Sequence, residues 1–254
     1  MLTVSGLACA RGGCQILGGI DFALPIGEVM AVLGTNGAGK STLLATLSGE
    51  LPRHAGEILL AGRPLGGWAA KERAQRLAVL PQSSSLAFAF SVEEVVMMGR
   101  LPHSSGWEED RRIVTEVMLA ADVEPLRQRN YLALSGGERQ RVHLARVLAQ
   151  VWGGTKPACL LLDEPTAALD LAHQRLILQQ AREVAQRGNA VLLVLHDLNL
   201  AARYADRVLL LDRGGVSALG MPWDVLEADR IKQVFGVEVQ VARHPQRNCP
   251  LIIS

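Results

Sequence analysis

Five short apolar runs are spaced along this chain between polar and glycine-rich segments. They cover residues 29–33, 77–80, 159–162, 190–195 and 207–211, and almost every position in them is aliphatic. A continuous apolar run of this length is typical of a strand that is buried on both faces. We therefore expect these runs to be the central strands of a sheet.

Helical periodicity occupies much of the chain between those runs. One helix face is marked by the spacing of Ile113, Val117, Met118 and Ala121. Further helices are predicted to start at about Ser41 and to cover about 135–150 and 171–186. Strands that alternate with helices predict an α/β fold with a parallel sheet that is covered on both faces.

The N-terminal segment has a different pattern, which predicts antiparallel strands. Residues 2–7 and 15–24 are expected to be strands on either side of a Gly12-Gly13 turn, and 56–61 is another short strand. These elements predict an N-terminal antiparallel β region beside the parallel sheet.

The domain organisation follows from where the pattern changes. Helical spacing dominates from about 88 to about 150, which predicts a helical subdomain inserted into the α/β core. Near the end of the chain we expect a helix at about 224–235 and then a strand with alternating Val237, Val239 and Val241. We therefore expect one domain over residues 1–254, with a short C-terminal helix and strand extension at about 221–254.

Composition narrows the class of protein. Of the 254 residues 49% are hydrophobic and only 4% are aromatic, so the core must be aliphatic. The net charge is +1 and no basic block is present, so we expect no nucleic-acid partner. The four cysteines lack zinc or C-x-x-C spacing, which favours reduced thiols. We find no signal peptide and no apolar stretch of membrane-spanning length, so any membrane function requires partner proteins.

Residues 34–42 read Gly-Thr-Asn-Gly-Ala-Gly-Lys-Ser-Thr and directly follow the first apolar run. In this phosphate-binding pattern, glycines let the backbone wrap a phosphate and the following helix N-terminus adds partial positive charge. Lys40 is expected to contact the β- and γ-phosphates, and Ser41 to bind Mg²⁺. A glycine-rich turn with an unrelated lysine is the alternative, but the strand before it and the helix after it favour nucleotide binding. The residues expected to bind the nucleotide here are Gly34, Asn36, Gly37, Ala38, Gly39, Lys40, Ser41 and Thr42.

Two adjacent carboxylates, Asp163 and Glu164, end another apolar run. Ligands bind at the carboxyl edge of strands in open α/β sheets. We therefore expect Asp163 to face Mg²⁺ and Glu164 to act as general base on the attacking water in phosphoanhydride hydrolysis. An acid pair that caps the next helix is the alternative, which the upstream phosphate loop makes weaker.

A second anion-binding helix start is predicted at Ser135, Gly136 and Gly137. One nucleotide needs only one phosphate cradle, so this one is expected to serve a nucleotide held by another copy of the chain. The expected assembly is a head-to-tail dimer with two ATP molecules between the subunits. Alone, an ordinary serine N-cap would explain the same residues.

In order and spacing, these motifs resemble those of ABC-transporter ATPase subunits over essentially the whole chain. The resemblance rests on Gly34 to Thr42, Gln82, residues 134–138 and 162–164, Ala168-Leu169-Asp170 and His196. It implies the P-loop NTPase fold of ABC ATPases. It also implies that Gln82 touches Mg²⁺ or water and links to a membrane partner, that Asp170 acts across the dimer, and that His196 contacts the γ-phosphate. Without the resemblance, Gln82 would be read as a loop amide and His196 as a strand-end histidine.

Two positions depart from the family pattern. Many members have an aromatic residue that stacks on adenine where this chain has Arg11, and a guanidinium can also stack on a base. The signature ends in Glu138 where many members have Gln. We expect that second change to be mild, because Ser135 and the glycine amides would bind the phosphate.

Residues 80–88 and 92–100 are similar to those of importers of iron chelates, haem and cobalamin, and Leu171-Ala172-His173-Gln174 is most similar to hemin importer ATPases. This implies an ATP-hydrolysing subunit that lies peripherally on the cytoplasmic face of the inner membrane. A permease dimer would dock near Gln82 to His103, and a periplasmic binding protein would deliver the cargo. The same role in ferric siderophore or cobalamin import is the alternative.

Three further hypotheses stay open at this point. A soluble ABC ATPase acting on DNA or ribosomes would usually bring a coiled coil, a basic face or a second cassette, and this chain has none of them. A P-loop kinase would not need the second cradle. The pair Cys249-Pro250 near His244 could form a haem sensor, but an ordinary cysteine in a C-terminal hairpin is the favoured interpretation, because an ATPase need not meet its cargo and two residues are weak evidence.

Overall fold

The computed structural model describes residues 1–82, 86–167 and 169–254, without the side chain of Arg11. The strands are β1 Leu2–Arg11, β2 Cys14–Leu24, β3 Val29–Gly34, β4 Ala55–Leu60, β5 Arg63–Pro64, β6 Leu77–Leu80, β7 Cys159–Asp163, β8 Ala190–Val194, β9 Arg207–Asp212, β10 Gly215–Gly220, β11 Gln240–Arg243 and β12 Pro250–Ile253. The α-helices are α1 Lys40–Ser48, α2 Ala70–Ala74, α3 Val92–Met97, α4 Trp107–Ala120, α5 Gly136–Val151, α6 Leu171–Gln186, α7 Leu198–Tyr204, α8 Pro222–Val225 and α9 Ala228–Phe235.

A six-stranded sheet of order β10-β9-β3-β8-β7-β6 forms the centre of the fold. Its five strands from β9 to β6 are parallel, and β10 adds an antiparallel edge. The five apolar runs supply the parallel strands, so the predicted α/β class is confirmed. Because the strands are parallel, their carboxyl ends lie at one edge, where β3 leads into α1 and β7 ends at Asp163.

Each face of this sheet carries its own hydrophobic core. Along β3, Val29, Ala31 and Leu33 pack into a cluster with α3 to α7, while Met30 and Val32 face the other way. That second cluster contains α1 and the N-terminal antiparallel sheet of order β2-β1-β4-β5. The alternation arises because successive strand side chains point to opposite faces.

The helices α3, α4 and α5 lie between β6 and β7, within the stretch where the sequence predicts a helical insertion. The apolar face of α4 is buried as expected, with Ile113, Val117 and Met118 in the core. The N-terminal strands β1 and β2 are longer than predicted. The strand β10 has no counterpart among the predictions.

The C-terminal prediction is wrong in two details. The helix expected at about 224–235 is interrupted, because Leu226 leaves the helical conformation and its side chain is fully buried. The alternating valines do not all form a strand, since the observed pairing begins at Gln240, opposite Ile253. The side-chain amide of Asn199 in α7 joins this hairpin, donating to Ile252 O at 3.0 Å and accepting from Ile252 N at 2.8 Å.

Among the residues that the structure describes, no helix combines the length and the apolar character needed to cross a membrane.

Candidate functional site

The loop between β3 and α1 is held in shape by the side chain at its end. Lys40 is 6% exposed, and its Nζ donates to Gly34 O at 2.8 Å and to Thr35 O at 3.0 Å. Burial lowers the pKa of Lys40, and the negative charges of Glu164 and Asp163 oppose that shift. The ammonium therefore sits inside the curve of the loop, facing two carboxylates.

Two glycines in this loop are required by space as well as by conformation. A Cβ on Gly39, which has φ +99°, would lie 2.6 Å from Leu17 Cδ2. A Cβ on Gly34 would lie 2.5 Å from the carbonyl oxygen of Leu211. A side chain at position 34 would therefore require the β9 backbone to shift, whereas one at position 39 would have to displace the end of the buried Leu17 side chain and would also be strained by the positive φ.

Asp163 has the geometry of a cation ligand. Its side chain is 6% exposed at the end of β7, and Oδ1 has no hydrogen-bond partner among the described residues. Burial raises the pKa of this carboxyl, and a hydrogen bond from Ser41 opposes that shift in part. A buried carboxylate oxygen without a partner is costly, and a bound cation would satisfy it. Ser41 and Asp163 are hard oxygen donors, so this pair fits Mg²⁺.

Glu164 is hydrogen-bonded through both carboxylate oxygens. Gln82 Nε2 donates to its Oε2 at 3.0 Å, and His196 Nε2 donates to its Oε1 at 2.5 Å. The backbone of Glu164 has φ +48°, in the left-handed region that a glutamate rarely adopts. Such strain persists only where the surroundings impose it, and it is concentrated at functional sites. The two contacts fix the carboxylate in one orientation.

The phosphate loop and Glu164 line one cavity of about 330 Å³, whereas Asp163, Gln82 and His196 are not among its walls. Its walls are Ile16, Asn36, Gly37, Gly39, Lys40, Ser41, Thr42 and Glu164. Ala38, by contrast, is buried, so only its backbone can serve a ligand. The sequence interpretation missed Ile16, which supplies an apolar wall from β2. Alternation offered no signal for Ile16, because Ile16 and Leu17 are adjacent apolar residues and burial along β2 alternates regularly only from Ile20 to Leu24.

The expected adenine contact stays a prediction. The backbone of Arg11 ends β1, but its side chain lies outside the described residues. Ala168 of the Ala168-Leu169-Asp170 motif also lies outside the described residues.

Ser135 and Asp170 occupy helix starts outside this cavity. Ser135 is the N-cap of α5, and its Oγ accepts from Glu138 N at 3.3 Å while Glu138 Oε2 accepts from Ser135 N at 2.7 Å. This reciprocal capping box explains the departure at Glu138, because a glutamate closes the box as a glutamine would. Gly136 and Gly137 form the first turn of α5. Asp170 caps α6 by accepting from His173 N at 2.9 Å.

The described part of the chain contains no group of three or more His, Cys, Asp or Glu side chains arranged to hold a metal ion. An ion such as Mg²⁺ commonly uses one or two protein oxygens together with substrate phosphates. Ser41 and Asp163 would supply two such oxygens.

Comparison with known proteins places the chain in a family. Residues 17–167 match the family model described as ABC transporter. The chain is 60% identical to "Hemin import ATP-binding protein HmuV" of Pseudomonas fluorescens and 58% identical to the protein of that name from Pseudomonas aeruginosa, in each case over 100% of both chains.

Solved structures agree with this placement. The solved "ATP binding subunit of ABC transporter" has a TM-score of 0.79 and 26% identity, with 94% of each chain covered. The structure of cbiO1 from Clostridium perfringens, described as part of the ABC transporter complex cbiONQ, has a TM-score of 0.76 and 28% identity, with 91% of this chain and 92% of that chain covered. The matches separate this chain from the small-molecule kinases considered above. It belongs to the ABC transporter family, as one of the family's ATPase domains.

Proposed function

We propose that this chain is the ATPase subunit of a haem importer and that it hydrolyses MgATP at the cavity between Lys40 and Glu164. The observation that carries the catalytic part is the carboxylate of Glu164, held from both sides by Gln82 and His196 beside the phosphate loop. The haem part is supported by two full-length relatives that are named for hemin import.

The nucleotide is bound through its phosphates. The amides of residues 34–42 and the ammonium of Lys40 surround the β- and γ-phosphates, with Asn36, Gly37 and Thr42 in the walls. Ser41 and Asp163 hold Mg²⁺, which supplies positive charge to the phosphate oxygens when it is bound. Arg11 is our candidate for the contact with adenine.

Hydrolysis uses the carboxylate of Glu164 as general base. Gln82 and His196 orient it toward a water in line with the γ-phosphate. Glu164 accepts a proton of that water as the water oxygen bonds to the γ-phosphorus, while the bond from the γ-phosphorus to the β–γ bridging oxygen breaks and ADP leaves with that oxygen. In this proposal His196 also contacts the γ-phosphate, and Gln82 contacts Mg²⁺ or water. Both residues thus report the state of the nucleotide to the segments that follow them.

Two copies of the chain form the working unit. Residues 1–254 act as one ATP-binding domain, with the helical subdomain inserted at about 88–150 and the C-terminal extension at about 221–254. Ser135, Gly136 and Gly137 of one copy bind the nucleotide held by the other, and Asp170 acts across the same interface. The position of Ser135 and Asp170 outside the cavity of their own chain supports this arrangement.

A permease subunit docks on the helical insertion, next to Gln82. The surface is a cavity of about 510 Å³ lined by Phe90, Glu93, Glu94, Met97, Met98, Leu101, Trp107 and Arg111. Leu101 is 78% exposed and Trp107 is 67% exposed, which is costly unless a partner covers them. This docking surface follows Gln82 closely in the chain, so a shift of the permease can reach the base. The complex lies on the cytoplasmic face of the inner membrane, and a periplasmic binding protein delivers the cargo.

Removing the apolar side chains of this docking surface tests the partner assignment. We expect the double change Leu101→Ser and Trp107→Ala to lower co-purification with the permease at least tenfold, because two large apolar contacts are lost. ATP turnover of the isolated chain should stay within twofold, since neither residue lines the nucleotide cavity. Leu119→Ser is the matched control, because Leu119 is 62% exposed on α4 but does not line the docking surface. Full retention of the permease by the double variant would contradict the assignment.

Growth on defined iron sources tests the cargo. We expect a strain lacking this chain to fail with hemin as sole iron source and to grow on ferric siderophores, and the intact chain to restore growth on hemin. The Glu164→Gln variant should not restore it. Two results would contradict hemin as the cargo. Growth on hemin with failure on a siderophore would indicate siderophore import, and a new need for methionine would indicate cobalamin import. Neither result would contradict the ATPase mechanism.

A further inference from the structure

A chain of polar contacts joins the start of α6 to the helical insertion. It runs from Asp170 through His173 and Asp122 to Arg141, and so links the sheet-bearing core to the corner between α4 and α5. None of these four residues lines the nucleotide cavity or the docking surface defined above. Neither nucleotide binding nor permease docking therefore explains these contacts.

His173 stands at the middle of this chain, between two carboxylates. Its Nδ1 lies 2.8 Å from Asp170 Oδ2, and its Nε2 lies 3.5 Å from Asp122 Oδ2. An ionised carboxylate can only accept, so the ring donates its Nδ1 proton to Asp170, and the longer contact to Asp122 becomes an ion pair when Nε2 is protonated as well. The hydrogen bonds from the backbone and the side chain of His173 hold the pKa of Asp170 below its usual range. The ring thus reaches from the N-cap of its own helix to a different part of the fold.

Asp122 and Arg141 make the far end rigid. Arg141 is buried, and its Nη1 donates both to Asp122 O at 2.7 Å and to Asp122 Oδ2 at 2.6 Å. Asp122 has φ +53°, a left-handed conformation that only a few residue types adopt at low cost. Residues held in such a conformation by their contacts are frequent where geometry matters to function. The carboxylate that meets His173 is therefore fixed in place by α5.

Ser135 is the N-cap of the same helix α5, and Asp170 is the N-cap of α6. We infer that His173 is a positioning residue, which through Asp122 and Arg141 holds the helix start carrying Ser135 in a fixed relation to the helix start carrying Asp170. This inference rests on the proposed dimer, in which both helix starts face the partner copy. The contacts from Asp170 to Arg141 form a bridge, which makes the two helix starts approach the partner's nucleotide as one unit.

The exposure of these side chains favours a role of His173 in positioning the two helices over a role in folding stability alone. Asp122 and Asp170 are exposed and His173 is partly exposed, so their ion pairs are screened by water and add little to folding stability. Loss of the ring leaves the backbone N–H of residue 173 as a donor to Asp170, so the cap of α6 survives. What is lost is the connection between the two subdomains.

The test is a double-mutant cycle in the full-length chain. We expect His173→Ala to lower ATP turnover roughly 3- to 10-fold and to reduce its cooperativity in ATP, the size of effect typical of residues that couple distant sites. Nucleotide affinity and the thermal midpoint should be almost unchanged. Asp122→Gly removes the carboxylate oxygen that both Arg141 and His173 contact, leaves Arg141 its hydrogen bond to the backbone oxygen of residue 122 and tolerates the left-handed conformation, so it should cause a similar loss. The double variant should be no slower than the slower single variant.

Controls separate this inference from the proposed catalytic site. Arg112→Gln breaks ion pairs of Arg112 with Glu109 and Glu116 that stay within α4, and turnover should be unchanged. Glu164→Gln must abolish most turnover in the same assay; if it does not, the catalytic assignment has failed and not the bridge. Normal turnover in His173→Ala overturns the inference, as does a double variant whose loss equals the product of the single losses. A parallel loss of nucleotide binding also overturns it, because the histidine would then only support the fold.

Discussion

Replacing Glu164 with Gln is expected to lower ATP turnover by about 10²- to 10⁴-fold, the range that general-base catalysis supplies. The amide has nearly the same shape as the carboxylate, so Gln82 and His196 keep a neighbour of the same size. It cannot accept a proton from water at neutral pH, and hydrolysis therefore slows. Binding should persist, because Lys40 and the loop amides are untouched. Phosphate release at saturating MgATP measures the turnover, and equilibrium titration measures the binding.

Glu57→Gln is the matched control for that experiment. Glu57 is an exposed glutamate on β4, in the antiparallel sheet, so the same chemical change there should leave turnover intact. Turnover of Glu164→Gln within twofold of the unchanged chain would exclude Glu164 as the base. A loss of binding as large as the loss of turnover would instead make it a binding residue.

Removing the ammonium of Lys40 has the second large effect. We expect Lys40→Ala to weaken MgATP binding about ten- to a hundredfold, the range that corresponds to a lost charge-assisted hydrogen bond. The change also leaves the carbonyl oxygens of Gly34 and Thr35 without their donor, so the loop loses part of its preformed shape. Calorimetric titration with MgATP and with MgADP measures the affinity directly.

The control here is Lys232→Ala on α9, where the ammonium is exposed and pairs with Glu238. Its nucleotide affinity should equal that of the unchanged chain. A thermal melt of each variant checks that the protein is folded during the titration. Unchanged affinity in Lys40→Ala would remove the basis for the cradle, since the buried ammonium is its strongest charge.

The parts of the fold and site that follow from local pattern were predictable. Residues 29–42 carry one continuous signal. The apolar run predicts the strand β3, and the glycines with the lysine predict the phosphate loop that leads into α1. Helix α6 was predicted at its observed bounds, 171–186. Asp163 is the last residue of β7, and the apolar residues before it predict from the sequence alone that this strand is buried. In each case the deciding neighbours lie within a few positions along the chain.

Other features depend on residues that are distant in sequence. Gln82 and Glu164 are separated by 82 positions, and Glu164 and His196 by 32, so no local pattern predicts the two hydrogen bonds that orient the Glu164 carboxylate. Family resemblance indicated that Gln82 and His196 belong to the site, but not that both would donate hydrogen bonds to one carboxylate. The break at Leu226 has the same cause, because the core into which its side chain packs is assembled by other elements. Contacts between residues distant in sequence determine these features, and local sequence patterns do not predict them.

The exposed indole of Trp107 on the docking surface has an optical consequence. The other three tryptophans lie elsewhere: Trp152 is buried under the guanidinium of Arg187 at 3.9 Å, Trp68 has arginines near its ring, and Trp223 lines a separate cavity near the C-terminal hairpin. Covering the docking surface would therefore change the surroundings of one indole among four. In the proposed complex Trp107 is therefore an intrinsic fluorescent reporter of permease contact, and we expect its emission to move to shorter wavelength when water leaves it.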